Sequence, residues 1–329
     1  MLGSLAAIVV GFVLLVWGAD RFVMGASGIA RNLGVSPLII GLTIVGFGTS
    51  APEILVSAVA ALEGNAGLGV GNALGSNIAN IGLVIGVTAL MMPLLVQSNV
   101  VRREFPVLFF VMFVVLFLIW DGVLGRWDGI ILITGLAGLL MLMVKVARSS
   151  QVKGDPLESE FEQEVPKPES KGKSTLWFVI GLLVLLGSSK LLVWGAVNVA
   201  QMFGVSDLVI GLTIVAIGTS LPELAASIAG ALKNEHDIAI GNIIGSNMFN
   251  LLAVLAMPGL IAPGEVSSDV FSRDYPVMIA LTVALLIMAY GFRGRSGKIN
   301  RFEGGLLLSA YVAYMGWLYV AEVQGGAGT

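Results

Sequence analysis

Residues 34–80 recur at residues 204–250, offset by 170 positions with no gap, and 24 of the 47 aligned positions are identical. The most similar part reads Gly-Leu-Thr-Ile-Val-Gly-Phe-Gly-Thr-Ser-Ala-Pro-Glu at 41–53 and Gly-Leu-Thr-Ile-Val-Ala-Ile-Gly-Thr-Ser-Leu-Pro-Glu at 211–223. Self-similarity at a fixed spacing marks a duplicated architecture. Each copy places one carboxylate, Glu53 or Glu223, inside an apolar segment. A charge at membrane depth costs at least ~2.5–3.5 kcal/mol on insertion scales, so each glutamate is a functional-site candidate.

The apolar setting is general. Apolar residues form 57% of the chain and mean hydropathy is +0.94, values of the polytopic membrane class. The lipid bilayer is therefore the first expected partner. The chain has no Cys, which excludes disulfide scaffolds, thiol catalysis and Cys-based metal sites. Its one His, His236, sits between Glu235 and Asp237 in a polar gap, so a His-rich metal site is excluded. The net charge of −3 comes without a basic, aromatic-studded stripe, and no nucleic-acid partner is expected. The sequence carries no His-Glu-x-x-His, Ser/His pair or paired Asp, which argues against an intramembrane hydrolase or other enzyme. No cofactor is called for.

A spanning helix needs roughly 20 apolar residues. That ruler gives ten candidate spans, near 4–29, 37–62, 66–92, 105–120 and 129–147, then 175–202, 207–232, 238–261, 275–292 and 302–321. Residues 1–17 lack the basic start and cleavage site of a signal peptide and read as part of the first span. The expected fold is all-α and polytopic, with ten transmembrane helices as two inverted five-helix repeats. An odd number per copy forces the second to enter from the opposite face, as in many secondary transporters. The expected units are a first membrane repeat at 1–148, a cytoplasmic linker at 149–174 and a second, inverted repeat at 175–329. Similarity extends past the central match: Arg103-Glu104-Phe105-Pro106 aligns with Arg273-Asp274-Tyr275-Pro276 at the same offset.

Lys and Arg set the orientation. With the N-terminus outside, and leaving out Arg21 and Lys190 at or within helices, fourteen lie inside and only Arg126 and Arg273 outside. Both termini are thus expected outside and the linker inside. The linker is rich in Lys, Glu, Pro and Ser and reads as disordered. Its acidic run from Asp155 to Glu164 lacks the glycine turn and ligand spacing of an EF-hand loop. Asp20 and Lys190 occupy equivalent positions and read as interfacial anchors rather than gating charges, and the Trp residues cluster near span ends.

Within the second span, Thr49, Glu53 and Ser57 share a helical face, as do Thr219, Glu223 and Ser227 in the copy. Pro52 and Pro222 remove a helical donor one turn from a Gly, which predicts a broken helix. Such a break at membrane depth must be buried in protein or line a wet cavity. It offers freed carbonyls beside hydroxyls and a carboxylate. The third span of each copy adds Asn72, Ser76 and Asn80 on one face, in Gly-Asn-x-x-Gly-Ser-Asn-x-x-Asn, repeated to Asn250. Gly71 and Gly75 form a small-xxx-small pair suited to close helix approach. Two glutamates with many neutral oxygens match the 6–8 oxygen ligands that Ca²⁺ takes. Without a cation, two nearby carboxylates in low dielectric invite protons to compete. A site able to hold one divalent or several monovalent ions is what an exchanger requires.

These paired motifs closely resemble the α-repeats of the calcium/cation antiporter superfamily, which includes the sodium/calcium exchangers. The Gly-Asn-Ile-Ile-Gly-Ser-Asn run at 241–247 looks most like its bacterial inner-membrane branch. The resemblance spans all but the central loop and implies a Ca²⁺ antiporter of the bacterial inner membrane, coupled to Na⁺ or H⁺ through alternating access, with periplasmic termini. Glu53 and Glu223 match its essential ion-binding glutamates. Thr49, Ser50, Thr219, Ser220, Ser76 and Ser246 match its hydroxyl and carbonyl ligands, with Thr49 and Thr219 beside the glutamates as metal ligands. Gly46 and Ala216 match positions whose backbone carbonyls face sodium, and Asn80 and Asn250 match the remaining site positions. Asn77 and Asn247, within the same motif, join the candidate set. Some relatives carry Asp where this chain has Asn250, which makes potassium co-transport less expected here. A monomer is the expected state. The rival readings are a cation channel built from the same oxygens and an exchanger for another divalent cation such as Mn²⁺.

Overall fold

The computed structural model describes residues 1–33, 46–96, 98–149, 170–232, 236–290 and 297–326. The early part of the expected second span, 37–45, and most of the linker, 150–169, lie outside the described residues. The protein is mostly helical. The first half contains α1 (Leu2–Asn32), α2 (Gly46–Thr49), α3 (Ala51–Leu62), α4 (Ala66–Met91), α5 (Ser98–Leu118) and α6 (Arg126–Ser149). The second contains α7 (Lys171–Phe203), α8 (Asp207–Thr219), α9 (Leu221–Leu232), α10 (His236–Phe249), α11 (Val270–Ala289) and α12 (Arg301–Gly326). Past α10, a π-helical stretch (Asn250–Val254) leads into Ala256–Ile261.

Among the described residues, six helices are long and apolar enough to cross a membrane, and the bent pair α8–α9 makes a seventh. The expected spans at 37–62, 105–120 and 129–147 coincide with helices that are shorter or only partly described. Helix α7 begins at Lys171, so the last residues of the expected linker are helical. Buried Ser174 in its first turn faces Gly28 of α1.

The expectation of a purely helical chain needs one addition. Among the described residues, four short strands, β1 (Leu94–Val96), β2 (Val123–Leu124), β3 (Gly264–Glu265) and β4 (Gly297–Ile299), form two antiparallel ribbons, β1 with β4 and β2 with β3. They tie one half to the other. Interhelical segments have no helical partner for their backbone groups, and cross-pairing satisfies them.

Two helices form the centre. The apolar stretch of α4 is 78% buried and that of Ala239–Ile261, which runs from α10 through the π-helical stretch beyond it, is 83% buried, against 39% for α1 and 33% for α7. The peripheral pair α1–α7 is held by reciprocal glycine contacts. A Cβ on Gly25 would lie 2.2 Å from the Phe178 backbone N, and one on Gly181 would lie 2.3 Å from that of Phe22. The rings of Phe22 and Phe178 meet 5.1 Å apart beside this approach. The guanidinium of Arg21 lies 5.6 Å from the Trp17 ring and 4.8 Å from the Trp177 ring, with Asp20 3.7 Å away. Arg21 thus joins the two helices by cation–π contacts, while Asp20 and Lys190 are exposed. Backbone cannot swing aside as a side chain can, so Gly25→Val is expected to destabilise by about 1–3 kcal/mol. Thermal unfolding of the detergent-purified variant checks this, beside Gly172→Ala, a position with open space around it.

Candidate functional site

Both expected helix breaks are present and fall on equivalent serines. Ser50 separates α2 from α3 with φ −87° and ψ 0°. Ser220 separates α8 from α9 with φ −83° and ψ 4°, and the two arms bend by 41°. Pro52 and Pro222 lie in the first turn after each break, where a missing N–H costs no helical bond. The carboxylates follow in the same turn. Glu53 and Glu223 are each 1% exposed.

Helices α4 and α10 supply the opposing wall. Within α4 and directly after α10, helical winding widens to a π-helical stretch that starts at the motif's final asparagine, Asn80 (Asn80–Ile85) or Asn250 (Asn250–Val254). Such bulges occur frequently at functional sites. A third one, Gly211–Val215, precedes Thr219 in α8.

The copies interlock across the centre. Thr219 of the second copy contacts the Glu53 side chain, and Thr49 and Ser246 contact that of Glu223. Ser246 Oγ donates to Glu223 Oε1 at 3.4 Å, and Thr49 Oγ1 lies 3.5 Å from Ser246 Oγ. Asn80 Nδ2 donates to Asn247 Oδ1 at 3.0 Å, joining the two asparagine motifs. Asn77 Nδ2 donates to the Ala73 carbonyl oxygen at 3.0 Å. The carbonyl of Ala216 accepts from Ser220 N–H and, at 3.4 Å, from Thr219 Oγ1. Gly46 begins α2.

Much of this oxygen is unsatisfied. One carboxylate oxygen each of Glu53 and Glu223, the hydroxyls of Ser50, Ser220 and Ser76, and the side-chain carbonyls of Asn77, Asn80 and Asn250 are buried without a hydrogen-bond partner. Buried polar groups are ordinarily paired, and an exception calls for a reason such as a bound ion. A cation supplies what oxygens without donors lack. The described residues hold no cluster of three His, Cys, Asp or Glu side chains. The ligand set here is two carboxylates with neutral oxygens, a hard-cation environment.

Asn72, expected on one face of its span with Ser76 and Asn80, connects three elements. Its Nδ2 donates to the Glu53 carbonyl oxygen at 3.1 Å and to Ser57 Oγ at 2.9 Å, and its Oδ1 accepts from Thr219 at 3.2 Å. Recurrence of that asparagine at 242 was the available signal. Close approach is enforced beside it. A Cβ on Gly71 would lie 2.2 Å from the Leu208 carbonyl oxygen, and one on Gly211 would lie 2.3 Å from that of Leu68.

Fold and site together define a helical membrane protein with two acidic groups buried among unpaired oxygens. The sequence pattern of the sodium/calcium exchanger protein family matches residues 3–145 and 173–320. The chain belongs to that family. It is 52% identical over 319 residues to the antiporter candidate CaxA of Alkalimonas amylolytica, covering 97% of this chain and 99% of that one. It is 42% identical to the inner membrane protein YrbG of Escherichia coli strain K12, covering 97% and 98%. Among solved structures, the sodium-calcium exchanger NCX_Mj, soaked with Na⁺ and Sr²⁺, aligns with a TM-score of 0.64 and 33% identity, covering 96% and 98%.

Proposed function

We propose that this protein is a secondary antiporter exchanging Ca²⁺ for Na⁺ or H⁺ across a bacterial inner membrane, by alternating access and without covalent chemistry or a resident cofactor. The observation that carries the reading is the set of buried, donor-free oxygens around Glu53 and Glu223. Two carboxylates neutralise one Ca²⁺ or two monovalent ions, and serine and asparagine oxygens complete a 6–8-fold shell. Thr49, Thr219 and Ser246 touch the carboxylates and would rotate their lone pairs toward the ion. The backbone carbonyls of Gly46 and Ala216 would serve the monovalent ions.

The architecture we infer is ten spans in two inverted repeats, with both termini periplasmic. The excess of Lys and Arg on one side supports the orientation. The ribbons support the two-fold relation. Shifting β1 by 170 residues gives positions 264–266, over β3, and shifting β2 by 175, the spacing at which Trp127-Asp128-Gly129 loosely matches Phe302-Glu303-Gly304, gives 298–299, within β4. The ribbons β1–β4 and β2–β3 are therefore one element built twice.

Proteoliposomes loaded with Na⁺ and diluted into Na⁺-free buffer containing radioactive Ca²⁺ test the reading. Ca²⁺ accumulation above equilibrium that stops when the Na⁺ gradient is collapsed is expected. Accumulation driven only by an imposed proton gradient would change the coupled ion and keep the antiporter. Ca²⁺ that only equilibrates would mean a channel, and a preference for Mn²⁺ in competition would change the substrate.

A further inference from the structure

The two copies of the site are equivalent in sequence but not in bonding. In one, Thr219 donates to Asn72, whose amide bonds the Glu53 carbonyl oxygen and Ser57. The residues offset by 170 are Thr49, Asn242, Glu223 and Ser227. There, Thr49 lies against Ser246 instead. Asn242 Nδ2 and Ser227 Oγ are buried without a partner, as is the hydroxyl of Ser76, the counterpart of Ser246. Asn242 and Ser246 are four residues apart, about one helical turn. The two threonines therefore stand one turn out of register on equivalent helices. Unmade buried hydrogen bonds are costly, and a cation cannot satisfy the Asn242 amide N–H, so Asn242 and Ser227, which lie outside the ion-ligand set, are expected to be satisfied in another arrangement.

We propose that Asn72 and Asn242 are paired positioning residues, each latching one face of the carrier shut in one of two states. In the state described here, the Asn72 latch closes the seam between α4 and α8, where Gly71 meets the Leu208 backbone. In the other state, Thr49 steps one turn to Asn242, whose amide then takes the Glu223 carbonyl oxygen and Ser227, while Thr219 moves to Ser76. One-turn shifts between packed elements are an established form of two-state transition. The proposal rests on the exchanger reading for the existence of two access states.

The absence of native cysteine allows a direct test. Leu208→Cys places a reporter in the α4–α8 seam, where Leu208 is 7% exposed. Its labelling by a hydrophilic maleimide is followed in membrane fragments accessible from both faces, without added Ca²⁺. Removing the first latch with Asn72→Ala is expected to raise the labelling rate roughly tenfold, as loss of a few modest hydrogen bonds would. Asn242→Ala removes bonds only from the other state, so labelling is expected to fall. The double variant is expected to return toward the parent rate. Shifts in the same direction, or no change with Asn242→Ala, overturn the proposal. Asn242→Ala breaks no bond described here, so its result stands even if Asn72→Ala fails to fold. If labelling follows this pattern but the reconstituted parent moves no Ca²⁺ against a gradient, the exchanger reading fails and the latch survives.

Discussion

Replacing Glu53 or Glu223 with glutamine is expected to weaken Ca²⁺ binding about a thousandfold and reduce exchange to background. Glutamine keeps the shape and one oxygen but removes the charge. A unit charge 4 Å from its partner contributes ~4 kcal/mol at an effective dielectric near 20, which corresponds to about a thousandfold in affinity. Both carboxylates are 1% exposed, so water offers little compensation. The two losses should be similar, since each carboxylate faces hydroxyls from the opposite copy. Calorimetric Ca²⁺ titration of each variant, with flux measured in parallel, checks this. An unaltered melting temperature would show that the loss belongs to the site.

The second large effect concerns stability. Asp274 is fully buried and Arg273 is 6% exposed. Arg273 donates through Nε to Asp274 Oδ1 at 2.7 Å and through a terminal nitrogen to Oδ2 at 3.3 Å, a bidentate pair. Tyr314 of α12 donates to Asp274 Oδ1 at 2.8 Å, and Asp269 accepts from the same guanidinium at 3.3 Å. The adjacent Tyr275 donates to the Met112 carbonyl oxygen of α5. This cluster fastens α11 to α12 and α5. Asp274→Ala leaves the Tyr314 phenol without its acceptor and the guanidinium with only the half-exposed Asp269, and breaking a buried pair from one side costs about 3–5 kcal/mol. Thermal unfolding in detergent should show a marked drop for Asp274→Ala and a smaller one for Asp274→Asn, which keeps an acceptor for Tyr314.

The sequence made the duplication, the helix breaks and both glutamates legible because each rests on a local pattern. Pro52 and Pro222 remove a donor wherever they fall, and the breaks lie two residues before them. The cross-copy contacts were not legible. Thr49 meets Ser246 and Asn80 meets Asn247 across 197 and 167 residues, and no periodicity encodes which turns face each other. The alignment of Arg103-Glu104 with Arg273-Asp274 flagged a repeated charged pair without revealing Tyr314 as its partner. The π-helical stretches at Asn80 and Asn250 fall within segments expected to be plain spanning helix, and no side-chain spacing in the motif marks where the winding widens. The unequal bonding of Asn72 and Asn242 is a property of one conformational state, and identical motifs cannot carry it.

One buried site, framed by Glu53 and Glu223, is expected to hold both Ca²⁺ and the ion exchanged for it. Equilibrium binding of radioactive Ca²⁺ to the purified protein, titrated with Na⁺ and with H⁺, tests it most directly beside the Glu53→Gln, Glu223→Gln double variant. Saturable Ca²⁺ binding to the parent, displaced by the coupled monovalent ion, is expected, with none to the double variant. Ca²⁺ bound with undiminished affinity by the double variant would contradict it.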